Sequence, residues 1–313
     1  MPSDRIASLL ASSTEILYGL GLGDRVVAVS HECDHPRDAC SKPRVTFTHI
    51  DDSVSSRQID EQVKTLSSQN AAMYQVDVEQ LIALRPDLIV TQAQCDVCAV
   101  RYDDVVALVR DTPALEQAGI VALNPESLED LFRDIEKVGR AAGAESAARE
   151  YIESLRRRVA TVQEKTGALN NARRPRVVCI EWIEPVIVAA NWMPDLIQIA
   201  GGQSGMTRSA EHSGYSNWTD VTAYGPEVIV VMPCGLNLSR TVEESRVLPS
   251  FDGWADLPAV RQDRVFAVDG NAYFNRSGPR LVDSLEILAG LVHPDLFSQY
   301  AEFYEDVWHR LSP

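Results

Sequence analysis

Nowhere does this 313-residue chain reach the roughly 18 consecutive apolar residues of a membrane-spanning helix, so membrane insertion is not expected. Clustered basic charge is missing too. Against 29 Lys and Arg stand 45 Asp and Glu, giving a formal net charge of -16. Nucleic acid is therefore excluded as a partner, because phosphate backbones are held by Lys and Arg clusters. There is no GxxxxGK phosphate loop, no HExxH helix and no Ser-His-Asp order, and no enzymatic activity is expected. The opening residues run straight into the apolar stretch Ile6 to Leu10, without the basic end and small-residue cleavage site of a secretory leader. A cytoplasmic location is the expectation from this. Cysteines number six, which in that compartment reads as thiols or ligands rather than a disulfide framework.

What is present is an ordinary globular composition, 45% hydrophobic and 24% charged, with length for two lobes and a connector. The connector is the stretch from Ser127 to Thr166. Leu128, Leu131, Phe132, Ile135 and Val138 recur at helical spacing, and after Gly143 the pattern resumes in Tyr151, Ile152, Leu155, Val159 and Val162. The spacing predicts one long, slightly broken helical strut. On each side lie β/α units, giving a first lobe over 1–125, the connecting helix over 126–170 and a second lobe over 171–313. The fold class expected is α/β, two Rossmann-like lobes with parallel sheets joined by a long rigid backbone helix.

In the first lobe, Arg5 to Leu10 and Arg25 to Ser30 read as strands separated by a helix that Ser12 and Glu15 would open as a capping box. A third strand, Asp87 to Thr91, follows Pro86. In the second lobe, Arg176 to Trp182, Glu227 to Val231 and Arg264 to Val268 read as strands. Asp269 to Ser277 reads as a polar and aromatic loop, and Leu296 to Leu311 as a last amphipathic helix. Two polar loops follow first-lobe strands: Ser30-His31-Glu32-Cys33-Asp34-His35-Pro36 and Gln94-Cys95-Asp96-Val97-Cys98. Carboxyl ends of parallel strands border the ligand crevice of open sheets. Imidazole and thiolate suit zinc, iron or another borderline ion, which makes His31, Cys33, Cys95 and Cys98 the candidate metal ligands. The bland alternative is packed thiols, since buried Cys behaves as a small hydrophobe.

Several segments in order resemble one family. Ser8 to Gly21 (SLLASSTEILYGLG), Gly23 to Val27, Leu84 to Ile89, Ala200-Gly201-Gly202, Tyr224 to Ile229 and Asp269 to Arg280 are similar to the vitamin B12-binding type of ABC-transporter substrate-binding protein. The resemblance implies the class III substrate-binding-protein fold of helical-backbone metal receptors, with a metal chelate bound between the lobes. It implies a corrinoid, cobalamin or a close relative, as ligand, and an ABC permease or a cytosolic corrinoid-using enzyme as recipient. It also points to Trp182, Trp192, Trp218, Tyr273, Phe274 and Arg276 as ligand-facing groups. Glu181, at the mouth end of a second-lobe strand, is placed to accept from ligand amides. Stacking a flat chelate on tryptophans buries much area at little ordering cost. The two readings carried forward are a corrinoid-binding protein and a metal-site protein holding zinc, iron or a cluster for storage, sensing or an unrecognised reaction.

Overall fold

The computed structural model describes residues 3–69, 71–93 and 99–311; Cys95 and Cys98 of the expected CxxC lie outside them. By Cα proximity the chain divides into two compact units. Unit 1 comprises Met1–Val54, Gln58–Pro125 and Glu129–Ser154; unit 2 comprises Ser55–Arg57, Glu126–Leu128 and Leu155–Pro313.

Unit 1 carries β1 (Ile6–Ser8), β2 (Val26–Val29), β3 (Thr46–Thr48), β4 (Tyr74–Val76), β5 (Leu88–Gln92) and β6 (Gly119–Leu123). Four of these form a wholly parallel sheet in the order β2-β1-β5-β6, with Ser8 level with Val29 on one side and Val90 on the other. The apolar run Leu88 to Val90 is what such a central strand requires, because helices cover both of its faces; every residue of β5 is buried. The helices are α1 (Ala11–Gly19), α2 (Ser56–Ser68), α3 (Val78–Leu84), α4 (Tyr102–Asp111) and α5 (Leu128–Ala141). Leu81, Ile89, Val105 and Leu115 meet in one cluster of the core. β3 pairs antiparallel with β4 outside the main sheet.

One expected detail is corrected at α1. The helix starts at Ala11, its N-cap is Leu10, and no side chain caps it. Ser13 Oγ instead donates back to the Leu10 carbonyl at 2.9 Å and lies 2.5 Å from Ser8 Oγ. Ser12 Oγ, the hydroxyl of the expected capping box, is buried without a hydrogen bond, and it is Ser13 and Thr14 that are drawn to Ser8 at the end of β1.

The connector is two helices, α5 and α6 (Glu145–Gly167), rather than one. Gly143 breaks them with φ +66°, a left-handed conformation that costs glycine nothing and other residues about 1 kcal/mol or more. The division between units falls inside α6, after Ser154. In unit 2, Arg158 of α6 donates to both carboxylate oxygens of Glu286 at 2.9 and 2.6 Å, and the Tyr304 hydroxyl donates to Glu286 at 2.7 Å. Glu286 sits in α11 (Leu281–Val292), a helix buried on nearly every side. Such a carboxylate needs the fork of the arginine to offset its lost hydration.

The second sheet, built from β7 (Val177–Trp182), β8 (Ile187–Val188), β9 (Gly214–Tyr215), β10 (Val228–Val231), β11 (Val265–Val268) and β12 (Trp308–Arg310), runs β12-β11-β10-β7-β8-β9. Its centre, β11-β10-β7, is parallel, and β12, β8 and β9 join antiparallel at the edges. Around it lie α7 (Met193–Ile199), α8 (Trp218–Tyr224), α9 (Leu238–Glu244), α10 (Pro258–Arg261), α11 and α12 (Ser298–Phe303). The helix expected over Leu296 to Leu311 is thus corrected to the short α12 followed by an edge strand. The Trp308 ring packs edge-on against Phe266 at 5.7 Å, and Arg310 lies over the same ring at 5.5 Å. Packing on β11 wins over helical periodicity there.

Asp134 of α5 ties that helix to β6 by accepting the Asn124 backbone N–H at 3.1 Å. Burial pushes its carboxyl up from 3.8 to about 6. Because the folded value lies above the unfolded one, folding takes up a proton. The group is harmless below about pH 4 and destabilises progressively as pH rises through about 6. Asp134→Asn keeps an acceptor for Asn124 and removes the charge. Denaturant titrations should show a gain of about 1–2 kcal/mol near pH 7.5 and almost none near pH 4; an equal gain at both would refute the assignment.

Candidate functional site

The carboxyl ends of the three central strands of unit 2 are welded together through their backbones. From the loop after β10, Cys234 N–H donates to the Glu181 carbonyl at the end of β7 at 3.1 Å. Asn271, in the loop after β11, donates to the Leu236 carbonyl at 3.0 Å. Asn275 Nδ2 donates to the carbonyls of Met232 at 2.7 Å and Gly270 at 3.0 Å. Expected as irregular loop, Gly270–Phe274 is in fact a single π-helical turn, started by the Asp269 carboxylate accepting the Ala272 N–H at 2.7 Å. Isolated π turns are rare and gather at functional sites.

Glu181 and Trp182 stand on this platform, both part-buried. Ser213 Oγ donates to Glu181 Oε2 at 2.5 Å while accepting the Ala190 N–H at 2.9 Å. Burial raises the Glu181 carboxyl above its ordinary range, and the Ser213 hydrogen bond opposes that rise. Its charged form is thereby disfavoured relative to that of an exposed carboxylate. Trp182 Nε1 is buried without a hydrogen-bond partner, and so is Oδ1 of Asn191, a residue in the left-handed region at φ +49°. Leaving a buried donor or acceptor unmade costs on the order of 1–3 kcal/mol each, so such atoms mark places where a ligand group gains by binding.

The other expected ligand groups of this unit divide by burial. Phe274 is 0% exposed, and Trp192, 6% exposed, donates its indole N–H to the Phe274 carbonyl at 3.0 Å. Both rings belong to the interior and offer no face to a ligand, which corrects the expectation for them. Trp218 donates to the Asp252 carbonyl at 2.8 Å and stacks on Trp254 at 6.0 Å, so it braces α8 against the core. Tyr273 is half-buried with the Arg280 guanidinium over its ring at 5.4 Å and the Tyr304 ring at its edge. Arg276, 8% exposed, donates to Asn271 Oδ1 at 3.2 Å and holds the π turn rather than reaching outward. Ser213, Asn191 and Asn275 were not foreseen. Asn275 alone had a signal, lying inside the Asp269 to Arg280 segment.

In unit 1 the ends of β1 and β2 carry buried hydroxyls. Ser8 Oγ lies 2.7 Å from Thr14 Oγ1, and Thr14 Oγ1 lies 3.0 Å from Cys33 Sγ. Cys33 is 0% exposed and packs as an interior thiol. His31 is fixed by Thr46, which its Nδ1 meets at 2.7 Å. Among the described residues no group of three or more His, Cys, Asp and Glu is arranged to hold a metal ion. An open depression of about 610 Å³ in unit 2 lies elsewhere, lined by Thr166, Arg174, Gln198 and Gln203 by the amino end of β7, away from the platform.

A two-lobed α/β chain whose strand-end loops are fixed and whose polar atoms there lack partners has the features of a ligand receptor. Residues 6–272 match the family model of the periplasmic binding proteins, and the chain belongs to that family. It is similar to the ABC transporter substrate-binding lipoprotein YvrC of Bacillus subtilis, 26% identical over 94% of this chain and 82% of that protein. It is also similar to the vitamin B12-binding protein of Vibrio parahaemolyticus, 24% identical over 91% of this chain and 87% of that protein. A solved structure of a possible iron-binding, periplasmic solute-binding protein from Staphylococcus epidermidis shares the fold with a TM-score of 0.70, at 20% identity over 94% of this chain and all of that one. The fold class expected from the sequence is the one found.

Gly270 tests the platform. A Cβ there would stand 2.6 Å from the Met232 carbonyl oxygen and closer still to that of Pro233, both backbone atoms unable to swing away. Gly270→Ala should destabilise the protein by about 1–3 kcal/mol, the usual cost of overpacking, measured by chemical denaturation. Unchanged stability would mean that the three loops are not locked.

Proposed function

We propose that this protein captures a corrinoid, cobalamin or a close relative, and hands it on without chemically altering it. The observation that carries the reading is the likeness to the vitamin B12-binding protein, which runs over 91% of the chain rather than one motif. The platform of unit 2 supports it. Trp182 supplies an unpartnered indole N–H and Glu181 a carboxyl suited to carboxamides, groups that ring the periphery of a corrin. An ABC permease is the recipient that membership in this family favours, with a cytosolic corrinoid-using enzyme as the other. Among the described residues no helix is long and apolar enough to cross a membrane, so movement across one would need such a partner.

The second reading, zinc or iron held by His31, Cys33, Cys95 and Cys98, is weakened by the burial of Cys33 against Thr14. Elemental analysis of the protein as isolated separates the two: near-stoichiometric zinc or iron would favour the metal site.

Protein mixed with hydroxocobalamin should retain its red colour through gel filtration, and haem and a ferric hydroxamate run in parallel should bind more weakly. Ligand at about 100 times Kd should add about 2.7 kcal/mol of native stability in a thermal shift. Trp182→Ala should weaken retention. Loss of colour on the column with no thermal shift would overturn the proposal; equal retention of haem would move the ligand class to flat metal chelates in general.

A further inference from the structure

At its carboxyl end β7 loses step with its neighbour. Ile180 stands level with Val188 and Trp182 with Ile187, so β7 advances two residues where β8 advances one. This is a β-bulge at Glu181, and it turns the side chain that follows to the other face of the sheet. In an unbroken strand Trp182 would share the face of Ile180, which packs in the core with Val186 and Val188. The bulge sets Trp182 beside Ile187 instead. On the far side of Ile187, level with it, stands Tyr215 of β9, while Gly214 is level with Val188. Trp182, Ile187 and Tyr215 therefore form one row across three strands, all of them in unit 2.

Burial separates the two faces. Val188, on the core face, is 3% exposed, whereas Trp182 and Ile187 are part-buried and Tyr215 is 60% exposed. A lone exposed tyrosine is ordinary on a protein surface; this one is the outer end of an apolar row that begins on the platform. Its strand is tied in place, since the Ser216 N–H donates to the Val186 carbonyl at 2.8 Å and Ser216 Oγ accepts the Val188 N–H at 3.3 Å. Neighbouring strands lie about 4.8 Å apart, so the row spans about 10 Å. A single bicyclic ring would cover two of its side chains, and a macrocycle covers all three.

From this register we infer that the row of Trp182, Ile187 and Tyr215 is the surface on which the macrocycle of the captured chelate lies, with Tyr215 as a ligand-contacting residue at its outer end. The inference rests on the chelate-capture reading above. Covering the exposed Tyr215 ring with a flat apolar face removes area from water at little ordering cost, because the ring has only two χ angles and its strand is already held. The contact is made by the ring and not by the hydroxyl. Corrin and porphyrin faces share this chemistry, so a cobalt corrinoid and ferric haem are the two sources to separate.

The test is calorimetric titration of the full chain with hydroxocobalamin, with cobinamide, which keeps the corrin ring but lacks the nucleotide base, and with ferric haem. Nitration of Tyr215 by tetranitromethane, mapped by peptide mass spectrometry, is followed alongside. Tyr215→Ser should weaken both corrinoids by the same factor, about 10–100-fold, with an unchanged denaturation midpoint, and Tyr215→Phe should bind as the wild type does. Saturating hydroxocobalamin should suppress nitration of Tyr215. Unchanged affinity of Tyr215→Ser for both corrinoids, with nitration that persists in the complex, would overturn the inference and leave chelate capture standing. A loss confined to hydroxocobalamin would assign Tyr215 to the nucleotide base and overturn it as well. Tyr215-dependent binding of haem alone would keep the row and assign it to a porphyrin, and binding of no chelate would sink both readings together.

Discussion

Everything at the candidate site depends on how the strand ends of unit 2 are tied. A parallel sheet leaves its carboxyl-end amides and carbonyls to be satisfied by loops, and loops left to themselves move. Here Cys234 to Glu181, Asn271 to Leu236 and Asn275 to Met232 close those bonds between neighbouring loops. Gly270 lets two backbones approach closer than any side chain would allow. Side chains on this platform are consequently held before a ligand arrives, and the ordering cost of binding is lowered in advance.

With the backbone fixed, the site is set by which polar atoms remain unmade. Trp182 Nε1 and Asn191 Oδ1 have no partner, and Glu181 has one hydrogen bond in a place that disfavours its charge. These groups suit a neutral ligand edge rich in amides better than a phosphate or a carboxylate, in keeping with a chain that carries a net charge of -16. At the end of β2 in unit 1, His31 is instead held in place, its Nδ1 2.7 Å from Thr46 Oγ1.

The strands were legible because most are buried on both faces. Leu88 to Val90 and Val228 to Val231 are continuous apolar runs that a helix of this length could not use. Asp77, Asn170 and Asn237 cap their helical turns as their residue types would suggest, whereas Ser12 does not, because a hydroxyl cluster at the end of β1 competes for that stretch. The family resemblance pointed to Trp192 and Phe274 as ligand-facing, but sequence carries no information on which way a ring points, and both turn inward. Tyr300, Tyr304 and Trp308 keep a helical period that only the first half obeys, since Trp308 gains more against Phe266. The place of Glu181 and Trp182 at the end of β7 could be read from the sequence because they close an apolar strand; that of Ser213 and Asn191 beside them could not, because only folding brings them there.

The central claim is that the ligand is met at the strand ends. Hydrogen exchange of the backbone amides, with and without saturating hydroxocobalamin, tests it directly. The account predicts slowed exchange around Glu181 to Ile183 and Asn271 to Arg276, with Gln198 to Ser204 unchanged; protection confined to Gln198 to Ser204 would contradict it.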